Sequence, residues 1–187
     1  MQIAPFWANP PEPGDSGLAE LREAQFFTSL HCRNTAMAVT TDVGSETDIH
    51  PKQKAPVGAR LALAARSLAY GEKVAYKGPT YRSMTIRGSR AIITFSDAEG
   101  GLEAKGSDRT GFTMAGEDQT FHYAHATILG DKVIVSSPQV AKPVAVRYAW
   151  ANSPSANLCD KSGLPATPFR TDHWPKATAP KPAASSR

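Results

Sequence analysis

Cysteine is almost absent from this 187-residue chain, with Cys32 and Cys159 the only two. They lie far apart and in no metal-ligand spacing. One disulfide is permitted, but a disulfide framework is excluded, and two independent small positions suffice to explain them. No uninterrupted apolar run reaches the length of a membrane span. The N-terminal stretch MQIAPFWANPPEPG lacks the charged start and apolar centre of a signal peptide. As it stands, the chain is expected to be soluble, without a membrane partner, and not exported. Charge of one sign is also scarce: 21 Lys and Arg are scattered among 17 Asp and Glu, for a net +4. Basic and aromatic residues do not interleave, so nucleic acid is not an expected partner. What the chain does have is 41% hydrophobic residues over a length that suits one compact domain or two small ones.

Two halves differ in period. Gly14, Asp15 and Ser16 offer a turn and a cap ahead of LAELREAQFFTSL, a run of good helix formers. TAMAVTTDV follows, with a nearly continuous apolar stretch from Ala36 to Val39, as in a strand buried on both faces of a parallel sheet. Beyond a polar loop, APVGARLALAARSLAYG places Val57, Leu61, Ala64, Ala65 and Leu68 on one helical face and stops at Gly71. This order predicts an α/β unit over residues 1–72. A lone parallel strand needs partners, and the one other short candidate is QIAPF, so the unit reads as the end of a larger sheet. From residue 73, short alternating runs broken by glycines predict a small antiparallel, sandwich-like all-β domain over 73–174. LGDKVIV is its clearest hairpin signal. The tail 175–187 is expected to be disordered.

Chemistry concentrates in the loop TTDVGSETDIHPKQKAPVG, at the carboxyl end of the predicted strand, where open α/β sheets place their sites. If the loop is extended, Asp48 and His50 share a face, and Pro51 disfavours helix at His50. A carboxylate beside an imidazole fixes its tautomer and stabilises the imidazolium, so the pair suits a general base and its orienter. A polar turn is the plainer reading. A metal site drawing on Asp42, Asp48, His50 and His31 is another. His122 and His125, an odd number apart, would face opposite sides of a strand and make a poor metal pair. Arg22 and Glu23 suit a helix-surface ion pair or contacts with the β half.

The loop and its surroundings resemble the last catalytic block of the sialate O-acetylesterase family, serine esterases of the SGNH-hydrolase type. The matching stretches are QIAPF, LAELREAQ, NTAMAVTTDVGSETDIHPKQKAPVGARLALAARSLAYGE, GDKVIVSSP, KPVAVRYAWANSPSANL and GLPATPFRTDHWP. The resemblance implies a C-terminal portion of an SGNH, flavodoxin-like α/β domain followed by the β-rich domain. It assigns the triad's aspartate and histidine to Asp48 and His50, with no cofactor and no metal. The substrate implied is an acetylated sugar, sialic acid or another glycan. The family's nucleophilic serine lies in a Gly-Gln-Ser-Asn type motif upstream of the APF strand, so the partner implied is the missing N-terminal part of the catalytic domain. PGDSG mimics another SGNH signature but does not follow an apolar strand, and Ser16 reads as a cap. A secreted or periplasmic location is implied for a full-length member. Two rival readings are a carbohydrate-binding module, with Tyr81, Tyr123, Tyr148 and Trp150 as stacking surfaces, and a structural remnant without a ligand.

Overall fold

The computed structural model describes residues 1–106 and 111–180. Helix α1, Gly17–His31, opens where expected: Ser16 is its N-cap, and the Ser16 Oγ accepts from the Ala19 amide at 3.2 Å. Helix α2 spans Lys54–Leu68. The strands then follow as β1 Thr80–Arg87, β2 Arg90–Ser96, β3 Leu102–Ala104, β4 Phe112–Ala115, β5 Phe121–Tyr123, β6 His125–Leu129, β7 Lys132–Ser136, β8 Ala145–Tyr148, β9 Leu158–Asp160 and β10 Phe169–Arg170. One sheet has the order β1-β2-β7-β6, a second β10-β8-β4-β5, and β3 pairs with β9.

Two hairpins set the register of the first sheet. Arg87 pairs with Arg90 and Leu129 with Lys132, leaving two-residue turns that begin at Gly88 and Gly130, both at positive φ. A tight hairpin turn needs that conformation, and glycine adopts it without a Cβ penalty. Alternation does the rest. Ala91, Ile93 and Phe95 of β2 and Val133 and Val135 of β7 point inward, meeting Phe112, Met114, Val146 and Tyr148 of the second sheet in one apolar core.

The expected parallel sheet does not form. Every ladder among the described residues is antiparallel, and those residues hold antiparallel sheets and two helices. Residues 36–40 run beside the N-terminal segment with one backbone bond, Gln2 N–H to the Ala38 carbonyl at 3.0 Å. The Thr40 hydroxyl donates to the Gln2 carbonyl at 2.9 Å. An apolar run is equally compatible with an extended buried segment held by scattered bonds, and hydrophobicity does not distinguish that from a laddered strand. The α2 stripe also differs. Val57, Arg60 and Ala64 are buried, whereas Leu61 and Leu68 are exposed.

Helix α1 is fastened to the β half by Arg22. This side chain is fully buried and donates to the carbonyls of Ile3 (3.0 Å), Ala4 (3.2 Å), Ala151 (2.6 Å) and Asn152 (2.8 Å). Of its two expected roles, the helix-surface ion pair is absent and contact with the β half is present, through the Ala151 and Asn152 carbonyls. Burial lowers its pKa to about 10, still far above neutrality, so it remains a cation held by carbonyl dipoles. Glu23 does pair, with Arg170 at 2.9 Å and Lys176 at 2.5 Å. The Ala177 amide donates to Glu20 at 2.7 Å, and Thr178 bonds the same carboxylate. Of the tail expected to be disordered, residues 181–187 lie outside the described residues.

Candidate functional site

The loop between residue 40 and α2 is tied down on both sides. Arg60, from the buried stripe of α2, donates to both oxygens of Asp42 at 2.7 and 2.6 Å and to the Val39 carbonyl at 2.8 Å. On the other side the N-terminal segment supplies backbone bonds: Ser45 N–H to the Pro5 carbonyl at 3.2 Å, and Trp7 N–H to the Glu46 carbonyl at 3.0 Å. Gly44 is required here, because a Cβ on it would lie 2.5 Å from the Pro5 carbonyl oxygen.

Asp48 and His50 are brought together, though not by an extended backbone. Ser45 and Asp48 bridge across a tight turn, and the Asp48 Oδ1 accepts the His50 amide at 2.8 Å. Asp side chains commonly bond the backbone two residues on, and this local bond bends the segment. The His50 Nδ1 then stands 3.6 Å from the Asp48 Oδ1. That is too long for a hydrogen bond but is a short movement away from one. The His50 side chain is 86% exposed and that of Asp48 44%. Beside the loop lies a cavity of about 620 Å³, bounded by Asp42, Ser45 and Glu46 on the loop and by Lys105 and residues 153–159 on the β half.

Other candidates go elsewhere. Ser16 is engaged as the α1 cap, and its hydroxyl donates to the Asn152 Oδ1 at 2.9 Å. Asp42 is held by Arg60 and His31 Nδ1 lies 2.8 Å from the Phe27 carbonyl. Among the described residues no three His, Cys, Asp or Glu side chains converge as a metal site would need. No described helix is long and apolar enough to cross a membrane. His122 and His125 sit on β5 and β6, in different sheets. Of the four proposed stacking aromatics, Tyr148 and Trp150 are buried and Tyr81 stacks on Phe169 at 4.7 Å, leaving Tyr123 as the exposed one. Sequence reasoning missed the Arg60–Asp42 clamp. Its signal was an arginine on the same helical stripe as Val57 and Ala64, where a charge needs a partner.

No family model matches the chain. It is 31% identical over 180 residues to the sialate O-acetylesterase of Mus musculus, covering 83% of this chain and 32% of that protein. The chain belongs to the sialate O-acetylesterase family. The Homo sapiens sialate O-acetylesterase is 29% identical over 177 residues, covering 83% of this chain and 33% of that relative. A crystal structure described as a novel carbohydrate acetylesterase from Xanthomonas citri superposes with a TM-score of 0.83 at 47% identity. That match covers 92% of this chain and 40% of the other. The chain thus spans about a third of the length of the curated sialate O-acetylesterases it matches.

Proposed function

We propose that this chain is the base-bearing portion of a carbohydrate O-acetylesterase, which hydrolyses O-acetyl esters of sialic acid or a related sugar. The observation that carries the reading is the Asp48–His50 pair, held on a loop tethered from two sides next to an open cavity. In the reaction, a serine hydroxyl supplied by polypeptide beyond these residues attacks the acetyl carbonyl, and the His50 Nε2 takes its proton. His50 returns that proton to the departing sugar oxygen, and water then releases acetate from the serine by the same route. Asp48 orients the ring once the 3.6 Å separation from Nδ1 closes.

Two features support a further polypeptide packed against the helices. Leu21, Phe27 and Leu30 of α1 and Leu61 and Leu68 of α2 are exposed, and covering them would take apolar surface out of water. The relatives are about three times as long. A covering segment would also desolvate His50, which strengthens its contact with Asp48.

The test is hydrolysis of p-nitrophenyl acetate and O-acetylated sugars by a polypeptide of the relatives' length. His50→Ala should lower kcat by roughly 10³-fold, the usual share of a general base, while Ser16→Ala leaves it unchanged. The 187-residue chain alone should be inactive. Full turnover by the His50→Ala protein, or loss of turnover on Ser16→Ala, sinks the reading.

A further inference from the structure

The β1–β2 hairpin is one-sided in charge. From Lys73 to Ser96 the chain carries Lys73, Lys77, Arg82, Arg87 and Arg90 and no Asp or Glu. A run of cations is ordinarily a solvated face, and what sets this one apart is where the sheet puts two of them. Arg87 and Arg90 are paired across the Gly88-Ser89 turn. Both side chains therefore leave the same face, with Cβ atoms about 5 Å apart. The register carries the row on: Arg90 pairs with Ser136, and Ser136 with His125. The neighbouring Ala91, Val135 and Ala126 are buried in the core, which turns this row outward.

No described residue neutralises the pair. Arg60, Arg66, Arg147 and Arg170 each hold a carboxylate at 2.6–2.9 Å. Arg87 and Arg90 are exposed and form no ion pair with any described residue. The next two rows of the same face hold hydroxyl and aliphatic side chains and one further cation, Lys132, and no carboxylate. Like charges directly opposite each other on neighbouring strands are destabilising. An anion placed between them removes that cost.

The chemistry of the row selects the anion. Two guanidinium forks side by side can each donate two parallel N–H bonds to oxygens. Chloride has no pair of oxygens for a fork to grip. A planar carboxylate fills one fork and leaves the second unmatched. A tetrahedral oxyanion of double charge offers an oxygen edge to each fork and can also accept from the Ser136 hydroxyl, one strand spacing of about 4.8 Å beyond Arg90. A cation is repelled, and a neutral ligand leaves both charges uncompensated. We propose that Arg87, Arg90 and Ser136 form a site for a doubly charged tetrahedral oxyanion, either a free phosphate or sulfate ion or the phosphate of a monoester.

The site shares no residue with the Asp48–His50 loop and goes beyond the esterase reading, so neither result decides the other. The experiment is an NMR titration of the 187-residue chain at constant ionic strength, at about pH 8, where phosphate is doubly charged. The probes are sodium phosphate, sodium sulfate and phenyl phosphate, with sodium acetate as the counter-probe. Phosphate and sulfate should shift the Gly88, Ser89 and Arg90 amides saturably, and acetate should bind more weakly than either. Arg87→Gln and Arg90→Gln should each weaken phosphate binding about fivefold, the upper range for one exposed charge pair. Arg87→Lys should recover only part of that loss, because it restores the charge without the fork. Lys132→Gln, on the same face but outside the row, should change binding by less than about twofold. Removing one of two like charges relieves repulsion, so the thermal midpoint of the unliganded arginine variants should not fall. Tighter binding of inorganic phosphate than of phenyl phosphate supports the site as one for the free ion, and the reverse supports a phosphorylated partner. No saturable shift, acetate binding as tightly as phosphate, unchanged binding in both arginine-to-glutamine variants, or an equal loss on Lys132→Gln overturns the proposal.

Discussion

Arg60 holds Asp42 through both carboxylate oxygens, at 2.7 and 2.6 Å, and ties the same guanidinium to the Val39 carbonyl. A planar fork matched to a carboxylate fixes orientation as well as distance, which lysine cannot do. The start of the Asp48–His50 loop is thereby locked to α2.

Breaking that clamp should loosen the loop at a measurable cost. Asp42→Asn leaves the Arg60 charge largely buried without its carboxylate. The expected loss is about 2–3 kcal/mol in urea unfolding, below the ~3–5 of full burial, because 24% of the Asp42 side chain is exposed. Arg60→Lys should fall between wild type and Asp42→Asn. Wild-type stability for Asp42→Asn would mean that the pair adds nothing to the fold.

Arg22→Ala removes four hydrogen bonds to carbonyls of two separate segments. A buried cation-to-carbonyl network lost as a unit should cost about 3–5 kcal/mol, at the severe end for one substitution. The guanidinium is itself costly to bury, so Arg22→Met should recover part of that loss by refilling its volume. Chemical denaturation of the three proteins checks the order.

Gly44→Ala places a methyl group against the Pro5 carbonyl, which must move away. Overpacking of this kind costs about 1–3 kcal/mol. Hydrogen exchange should quicken at the Ser45 and Trp7 amides, which bridge the two segments. The amides of β2 and β7 should keep their protection, since their ladder is remote from the contact.

Acid should unfold the protein through Asp172. Burial alone would raise its pKa, but hydrogen bonds and charge from Arg147, then the charge of Arg170, outweigh that and hold it below 3.8. The folded state therefore binds fewer protons than the unfolded one in this range. The stabilisation is complete above the ordinary carboxylate range and disappears as pH falls through the depressed folded value. Glu20, lowered from 4.5 against the effect of its own burial by hydrogen bonds from Thr178 and Ala177, acts in the same direction. The thermal midpoint, followed from about pH 6 to about pH 2, should drop steeply at the acid end. Asp172→Asn should start lower and respond less.

Local chemistry made much of the chain legible. Ser16 ahead of a run of helix formers predicted the α1 cap, and Gly130-Asp131 between alternating runs predicted the β6–β7 hairpin. The short strands β9 and β10 were missed. They lie in an irregular, proline-containing stretch, and their partners, β3 and β8, are distant in sequence. TAMAVTTDV was misjudged as a parallel strand because its apolar run signals burial, whereas a ladder needs a second backbone in register. Arg22 was half legible: contact with the β half was one of its two expected roles, but nothing near it in sequence supplies the four carbonyls that make its burial tolerable.

By itself, the sequence determined what acts within a few residues: the helix caps, the glycine turns, the alternation of the strands and the spacing that puts Asp48 beside His50. Those depend on backbone sterics and on hydrogen bonds between near neighbours. Only the tertiary structure decided that Arg60 would clamp Asp42, that Arg22 would join residues 3–4 to 151–152, and that Tyr148 would be core while Tyr123 stayed open. Such outcomes rest on contacts between groups far apart in sequence, and their energy exists only once the chain has brought them together out of water.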